Sequence, residues 1–249
     1  MSGHSKWANI KYKKAAQDAK KGRIFTKIAR EITVAVKQGG VDPTANPRLR
    51  LALDKAKSVN MPKDNVERAI KKGSGTENED NYEDVIYEGY GPGGVALLLL
   101  VLTDNKNRTV SDIRRVLSRH GGSLGESGCV GWIFERKGVL RINKDDVVEE
   151  KLYNLAIEEG ALDINLQEMS YEVLTEPQDL ERFKEIFIKN NIEIEYAEVT
   201  MRPKSTIPVE KEEAKKLINL LNELDEHDDI QEVYSNFEID DAILEELKV

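Results

Sequence analysis

Residues 85–122, VIYEGYGPGGVALLLLVLTDNKNRTVSDIRRVLSRHGG, decide the fold class. Val85 to Tyr90 and Val95 to Thr103 read as two strands joined across Gly91 to Gly94; the second is apolar on both faces and therefore central in its sheet. Thr109 to Arg119 then predicts a helix, with Thr109 and Asp112 as its cap, Val110, Ile113 and Leu117 as its buried face, and Gly121 and Gly122 as its stop. A hairpin feeding a helix is the signature of an α+β unit.

Working toward the C-terminus, Cys129 to Phe134 reads as another strand. From Asp145 the pattern runs helix (Val147 to Glu158), strand (Tyr171 to Thr175), helix (Asp179 to Asn190) and strand (Glu193 to Met201). A last helix and strand, Glu210 to Leu224 and Ile230 to Phe237, resemble the preceding pair as a diverged repeat would. Pro203 and Pro208 bracket a crossover, which returns this last pair to the sheet begun near Val85. Toward the N-terminus, Ile24, Ile28, Ile32 and Val36 share one helical face that ends at Gly39 and Gly40. Asn46 and Pro47 open a second helix over Leu49, Ala52, Leu53 and Ala56, and Pro62 opens a third through Val66, Ala69 and Ile70, stopped by Gly73. The small, polar and acidic stretch Gly73 to Asn81 is a linker. The expected organisation is multidomain: a helical bundle over 1–75, a discontinuous α+β domain over 76–143 plus 206–249, and an inserted α+β domain over 144–205, the latter two small and ferredoxin-like in type.

Charge divides the chain at the same linker. The net charge is -9, but residues 1–75 carry 18 Lys and Arg against 6 Asp and Glu, whereas the remainder carries 19 against 40. Salt screens beyond roughly 8–10 Å, so a balance of +12 in one third meets a polyanion as a local field whatever the total. Lys6, Lys11, Lys13, Lys14, Lys20, Lys21, Arg23, Lys27 and Arg30 are interleaved with Trp7 and Tyr12. Cations release counterions from phosphates and aromatics stack on bases, so this run is the primary candidate nucleic-acid contact, with a solvated helix face as the alternative. Arg108, Arg114, Arg115 and Arg119 form either a second phosphate contact or a solvated face on which Asp112 pairs with Arg115 or Arg119.

Other chemistries find little support. Gly89, Gly91 and Gly94 satisfy G-x-G-x-x-G, but a strand follows where a helix N-terminus is needed and Pro92 removes an amide, so a hairpin turn is the better reading. Glycines 121, 122, 125, 128 and 131 lack the ending of a P-loop. His4, His120 and His227 have no metal-binding spacing, Cys129 sits in no nucleophile signature, and the run Asp225 to Asp229 reads as a solvated turn. The expectation is therefore a non-enzymatic protein without cofactor, metal or small-molecule substrate. One cysteine, an apolar run no longer than Val95 to Leu102 and the absence of a signal-like start suit a cytoplasmic protein away from membranes. The acidic C-terminal part is expected to face solvent or a protein partner.

Gly3 to Gly40, GHSKWANIKYKKAAQDAKKGRIFTKIAREITVAVKQGG, resembles the opening of the YebC/PmpR family of transcriptional regulatory proteins, as do NPRLRLALDKAKSVNMPKDNVERAIKKG, YEGYGPGG and NRTVSDIRRVLSRHGGSLGESGCVGWIFERKG further on. The resemblance covers nearly the whole chain and weakens after about Lys144. It implies a helical first domain and two α+β domains around a cleft, in a DNA-binding regulator of transcription. Mitochondrial relatives are translational activators and a ribosome-linked role has been proposed for bacterial members, so ribosomal or transfer RNA is the alternative target, with polymerase or a ribosomal protein as the protein partner.

Overall fold

The computed structural model describes residues 18–75, 81–167, 169–240, 243 and 246, with side chains from Lys21 onward. It is an α+β structure that divides into two compact units, one spanning 132–205 and the other formed by the residues on either side of it.

In the larger unit, three helices come first: α1 (Asp18–Gly39), α2 (Pro47–Ser58) and α3 (Lys63–Ser74). Ile28, Ile32 and Val36 of α1 pack with Leu49, Ala52 and Ala56 of α2 and Ala69 of α3, as the four-residue spacing requires. Asn46 caps α2 by accepting the amide of Leu49 at 3.0 Å. Gly73 is not the stop of α3. It lies buried inside the helix, where an added Cβ would stand 2.5 Å from the carbonyl oxygen of Thr33, so its smallness lets α3 lie on α1.

The strands β1 (Glu83–Tyr90) and β2 (Ala96–Thr103) pair antiparallel, with Glu83 opposite Thr103 and Tyr90 opposite Ala96. Gly93 and Gly94 take positive φ in the turn between them. Next come α4 (Lys106–Arg119) and the two-residue β3 (Ser123–Leu124). The helix begins earlier than Thr109, because Asn105 provides the cap, accepting the amide of Arg108. After the smaller unit the chain returns through β8 (Ile207–Pro208), α7 (Lys211–Asp225), β9 (Ile230–Ser235) and β10 (Phe237–Glu238). The sheet order is β3-β1-β2-β9, with β9 antiparallel to β2. Leu217, Leu220, Leu221 and Leu224 of α7 pack with Leu97, Leu99, Ile113 and Leu117. Each such side chain contributes about 1.5–3 kcal/mol by burial. The acidic C-terminal part, expected to face solvent or a protein partner, thus also supplies more than half of this core.

Cys129 to Phe134 is not a strand. The loop from Gly128 to Gly131 folds around the carboxylate of Glu88, which accepts the amides of Gly128 at 2.7 Å, Val130 at 2.7 Å and Gly131 at 2.6 Å. Three amides turned inward toward one anion cannot also join a ladder. The strand begins only at Phe134.

The smaller unit holds β4 (Phe134–Asn143), α5 (Glu149–Glu158), β5 (Asp163–Leu166), β6 (Ser170–Thr175), α6 (Leu180–Lys189) and β7 (Tyr196–Pro203). Its sheet is antiparallel in the order β5-β6-β4-β7, which with the succession βαββαβ is ferredoxin-like. The sequence pattern assigns β4 to the middle domain; its hydrogen bonds go instead to β6 and β7. Reordering the elements of the other sheet as β2-α4-β3-β1-α7-β9 gives the same spatial arrangement, so the two units repeat one plan in different chain orders. Phe183, Phe187, Leu140, Ile142 and Val173 form the core of the smaller unit.

Candidate nucleic-acid interface

Helix α1 buries one face in the bundle, and that rotation brings Arg23, Lys27 and Arg30 along a flank next to the end of α7 and the start of β9. Arg30 Nη1 donates to the Asp229 carboxylate at 2.7 Å and to the carbonyls of Asp228 at 2.9 Å and Leu102 at 3.3 Å, and the guanidinium lies 5.1 Å from the centre of the Tyr82 ring. Lys27 Nζ donates to the carbonyl of Asp225 at 2.5 Å, where the exposed carbonyls of a helix C-terminus favour a cation. Arg23 pairs with Glu226 at 3.1 Å.

Asp229 is only 4% exposed. Its second oxygen accepts the hydroxyls of Thr109 at 2.5 Å and Thr103 at 3.0 Å and Arg108 Nη2 at 3.3 Å. Burial pushes this carboxyl up, but the hydrogen bonds from Thr109, Arg30 and Thr103, with the charge of Arg30, outweigh it and hold Asp229 below the usual carboxylate range. One buried carboxylate therefore ties together α1, β2, α4 and the start of β9. The run Asp225 to Asp229 is a dock and not a solvated turn. Sequence reading missed it because Thr109 carries the same residue type as a helix cap, and Asp229 differs from its exposed neighbours only in where it points.

Arg23, Arg30, Arg108 and Arg115 line one open groove of about 560 Å³, together with Asp112, Glu223, Glu226, Asp228 and Asp229. Two groups read separately from the sequence are brought together, but four arginines meet five carboxylates, so the groove as it stands has no excess positive charge. Arg115 pairs with Asp112 at 2.9 Å and Arg119 with Glu223 at 2.9 Å, while Arg114 stands exposed outside the groove. Lys21 is exposed, and Lys6, Trp7, Lys11, Lys13 and Lys14 and the side chain of Lys20 lie outside the described residues.

Further cations turned to solvent lie on α2 and α3. Arg50, Lys57, Lys63, Arg68, Lys71 and Lys72 are exposed. Arg68 donates to Asp64 and Asn65 of its own helix, and Lys63 approaches Glu67 one turn on at 3.5 Å, contacts that leave both cations at the surface. Because Val66, Ala69, Ile70 and Gly73 of α3 turn inward, Arg68, Lys71 and Lys72 share the opposite side. Lys55 instead pairs with Glu232 of β9, and Arg48 with Glu31 and Asp84, adding to the contacts that hold the bundle on the sheet. Among the described residues no helix is long and apolar enough to cross a membrane.

Two family models match the chain: "TACO1/YebC protein N-terminal domain" over residues 5–76 and "TACO1/YebC second and third domain" over 82–237. A "Probable transcriptional regulatory protein" of Natranaerobius thermophilus is 52% identical over 248 residues, covering 98% of this chain and 99% of the relative. A protein of the same description from Persephonella marina is 53% identical over 249 residues, covering 99% of this chain and all of the relative. The crystal structure of a conserved hypothetical protein, Aq1575, from Aquifex aeolicus superposes with a TM-score of 0.79 at 49% identity, covering 90% of this chain and 93% of that one.

Proposed function

From the premise that the chain belongs to the TACO1/YebC family, we propose that it is a DNA-binding regulator of transcription that acts by binding and not by catalysis. The observation that carries this reading is the charge division: 18 basic residues against 6 acidic ones in residues 1–75. The names of the relatives point the same way. In this reading the lysines before Asp18 and the exposed cations of α2 and α3 contact phosphates. Arg23, Lys27, Arg30 and Arg108 hold the bundle to the β1-β2-β9 sheet and so fix the direction in which it presents those cations. Contacts of this kind position a duplex without reading its bases. Specificity then comes from DNA shape or from a protein partner.

The test is ultraviolet crosslinking in living cells followed by identification of the attached nucleic acid, with a variant carrying Lys11→Glu, Lys13→Glu and Lys14→Glu as control. Discrete promoter DNA, lost in the variant, is the expected recovery. Recovery of ribosomal or transfer RNA alone would replace the transcriptional reading with a translational one.

A further inference from the structure

The smaller unit has no share in the basic field. Residues 132–205 carry 10 Lys and Arg against 17 Asp and Glu, and the stretch 144–169 carries 2 against 8. In the same stretch the unit exposes large apolar side chains: Ile157 is 67% exposed, Leu162 48%, Leu166 51% and Met169 63%. They follow one another along one margin. Ile157 ends α5, Leu162 enters β5, Leu166 ends β5, and Met169 stands in the turn to β6. Leu166 lies opposite Tyr171, whose ring packs edge-on against Tyr153 of α5 at 6.1 Å. Leu166 thus shares the helix-covered face of the sheet, at its rim.

That rim is also a strand edge. β5 pairs with β6 and ends the sheet. The amide of Gln167 donates to the carbonyl of Ser170, and with the alternation of an antiparallel ladder this turns the backbone groups of Asn165 toward β6 and those of Ile164 and Leu166 outward. The outward amide of Ile164 is covered by the carboxylate of Asp163 at 2.9 Å. The side chains of Glu149, Glu150, Glu158 and Asp163 around this margin are exposed.

We propose that the β5 edge is a docking site for an extended segment of a protein partner in which apolar and basic residues alternate. An apolar strip beside outward backbone groups fits a strand that adds to the sheet, burying every second side chain on the strip. The acidic surround selects lysine or arginine for the segment and repels a polyanion. Nucleic acid and protein partner would then be received by different units.

The probe is a fluorescein-labelled octapeptide of alternating valine and lysine, titrated by anisotropy against the full chain at physiological salt. Two control peptides are used, one with glutamate in place of lysine and one N-methylated at alternate backbone amides. The lysine peptide is expected to bind at least about tenfold more tightly than either control, a difference of about 1.4 kcal/mol. It should slow hydrogen exchange at the Leu166 amide. Ile157→Arg with Leu166→Arg, both at exposed positions, should abolish binding without changing the unfolding temperature. Equal affinity for the three peptides, or undiminished binding by the double variant, would overturn the proposal. So would a wild-type dimer in solution that the double variant converts to monomer, since a second copy would then occupy the edge.

Discussion

Each unit of the molecule holds one buried carboxylate between two arginines, and the origin of those arginines separates the two cases. In the smaller unit Glu172, fully buried on β6, accepts Arg141 at 3.1 Å and Arg202 at 2.9 Å, and both arginines come from the sheet, on β4 and β7. That triad fixes only strands of one sheet, reaching from β6 across β4 to β7. In the larger unit Asp229 accepts Arg30, 199 positions away on the basic helix, and Arg108 at the start of α4. The same chemistry, fed by a long-range partner, holds a whole helical bundle to a sheet. Where an ion pair sits in the topology, more than how it is made, decides whether it sets a register or an arrangement of modules.

The comparison breaks most sharply at Glu172. Glu172→Ala removes the carboxylate that both buried arginines share, and breaking a buried pair costs about 3–5 kcal/mol. Chemical denaturation should show this loss, with hydrogen exchange accelerated in β4, β6 and β7 and unchanged in α1. Asp229→Ala should cost less, about 2–3 kcal/mol, because Arg30 and Arg108 retain other partners. Its exchange signature should instead spread across α1, β2 and α4. Confinement of that effect to the β9 strand would contradict the docking role. Gly73→Ala tests the bundle without touching either carboxylate. Alanine favours the helix by about 1 kcal/mol, yet its Cβ meets Thr33 and Val36, so a net loss of about 1–3 kcal/mol in thermal unfolding is expected.

The smallest effect is the acid limb of stability. Glu88 is raised by burial but brought below its ordinary 4.5 by the amides of Gly128, Val130 and Gly131, and Asp229 lies below its ordinary 3.8. Each therefore takes up its proton later in the folded state than in the unfolded one. Their contributions are complete above the ordinary values and are lost as pH falls through the lower folded ones. Glu88→Gln and Asp229→Asn should each flatten the fall in unfolding free energy below about pH 4.5, measured by denaturant titration across pH 2–6.

Much of the fold was legible because it rests on periodicity. The four-residue spacing of Ile24 to Val36, the Asn46-Pro47 start and the doubly apolar β2 each point to one local structure, and each element stands where its pattern placed it. The departures arise where long-range partners override local signals. Gly73 reads as a stop because glycine commonly ends helices, whereas here α1 packs over it. The glycines after Gly125 serve Glu88, some 40 positions earlier. Of the candidate site, the charge of α1 was legible but its destination was not. Arg23 and Arg30 look like Arg50 and Arg68 in sequence, and only the contacts of α1 with the turn between α7 and β9 set them apart.

That division between docking and exposed cations is tested most directly by the salt dependence of affinity for a duplex of about 20 base pairs. Replacing Lys63, Arg68 and Lys71 by glutamine should lower the magnitude of the slope of log K against log[salt] by up to about 2–3, close to 0.9 for each phosphate no longer neutralised. Arg30→Gln should weaken stability and leave that slope within about 0.5 of wild type. An unchanged slope in the triple variant, with a flattened one in Arg30→Gln, would place phosphate at the docking flank and contradict the account.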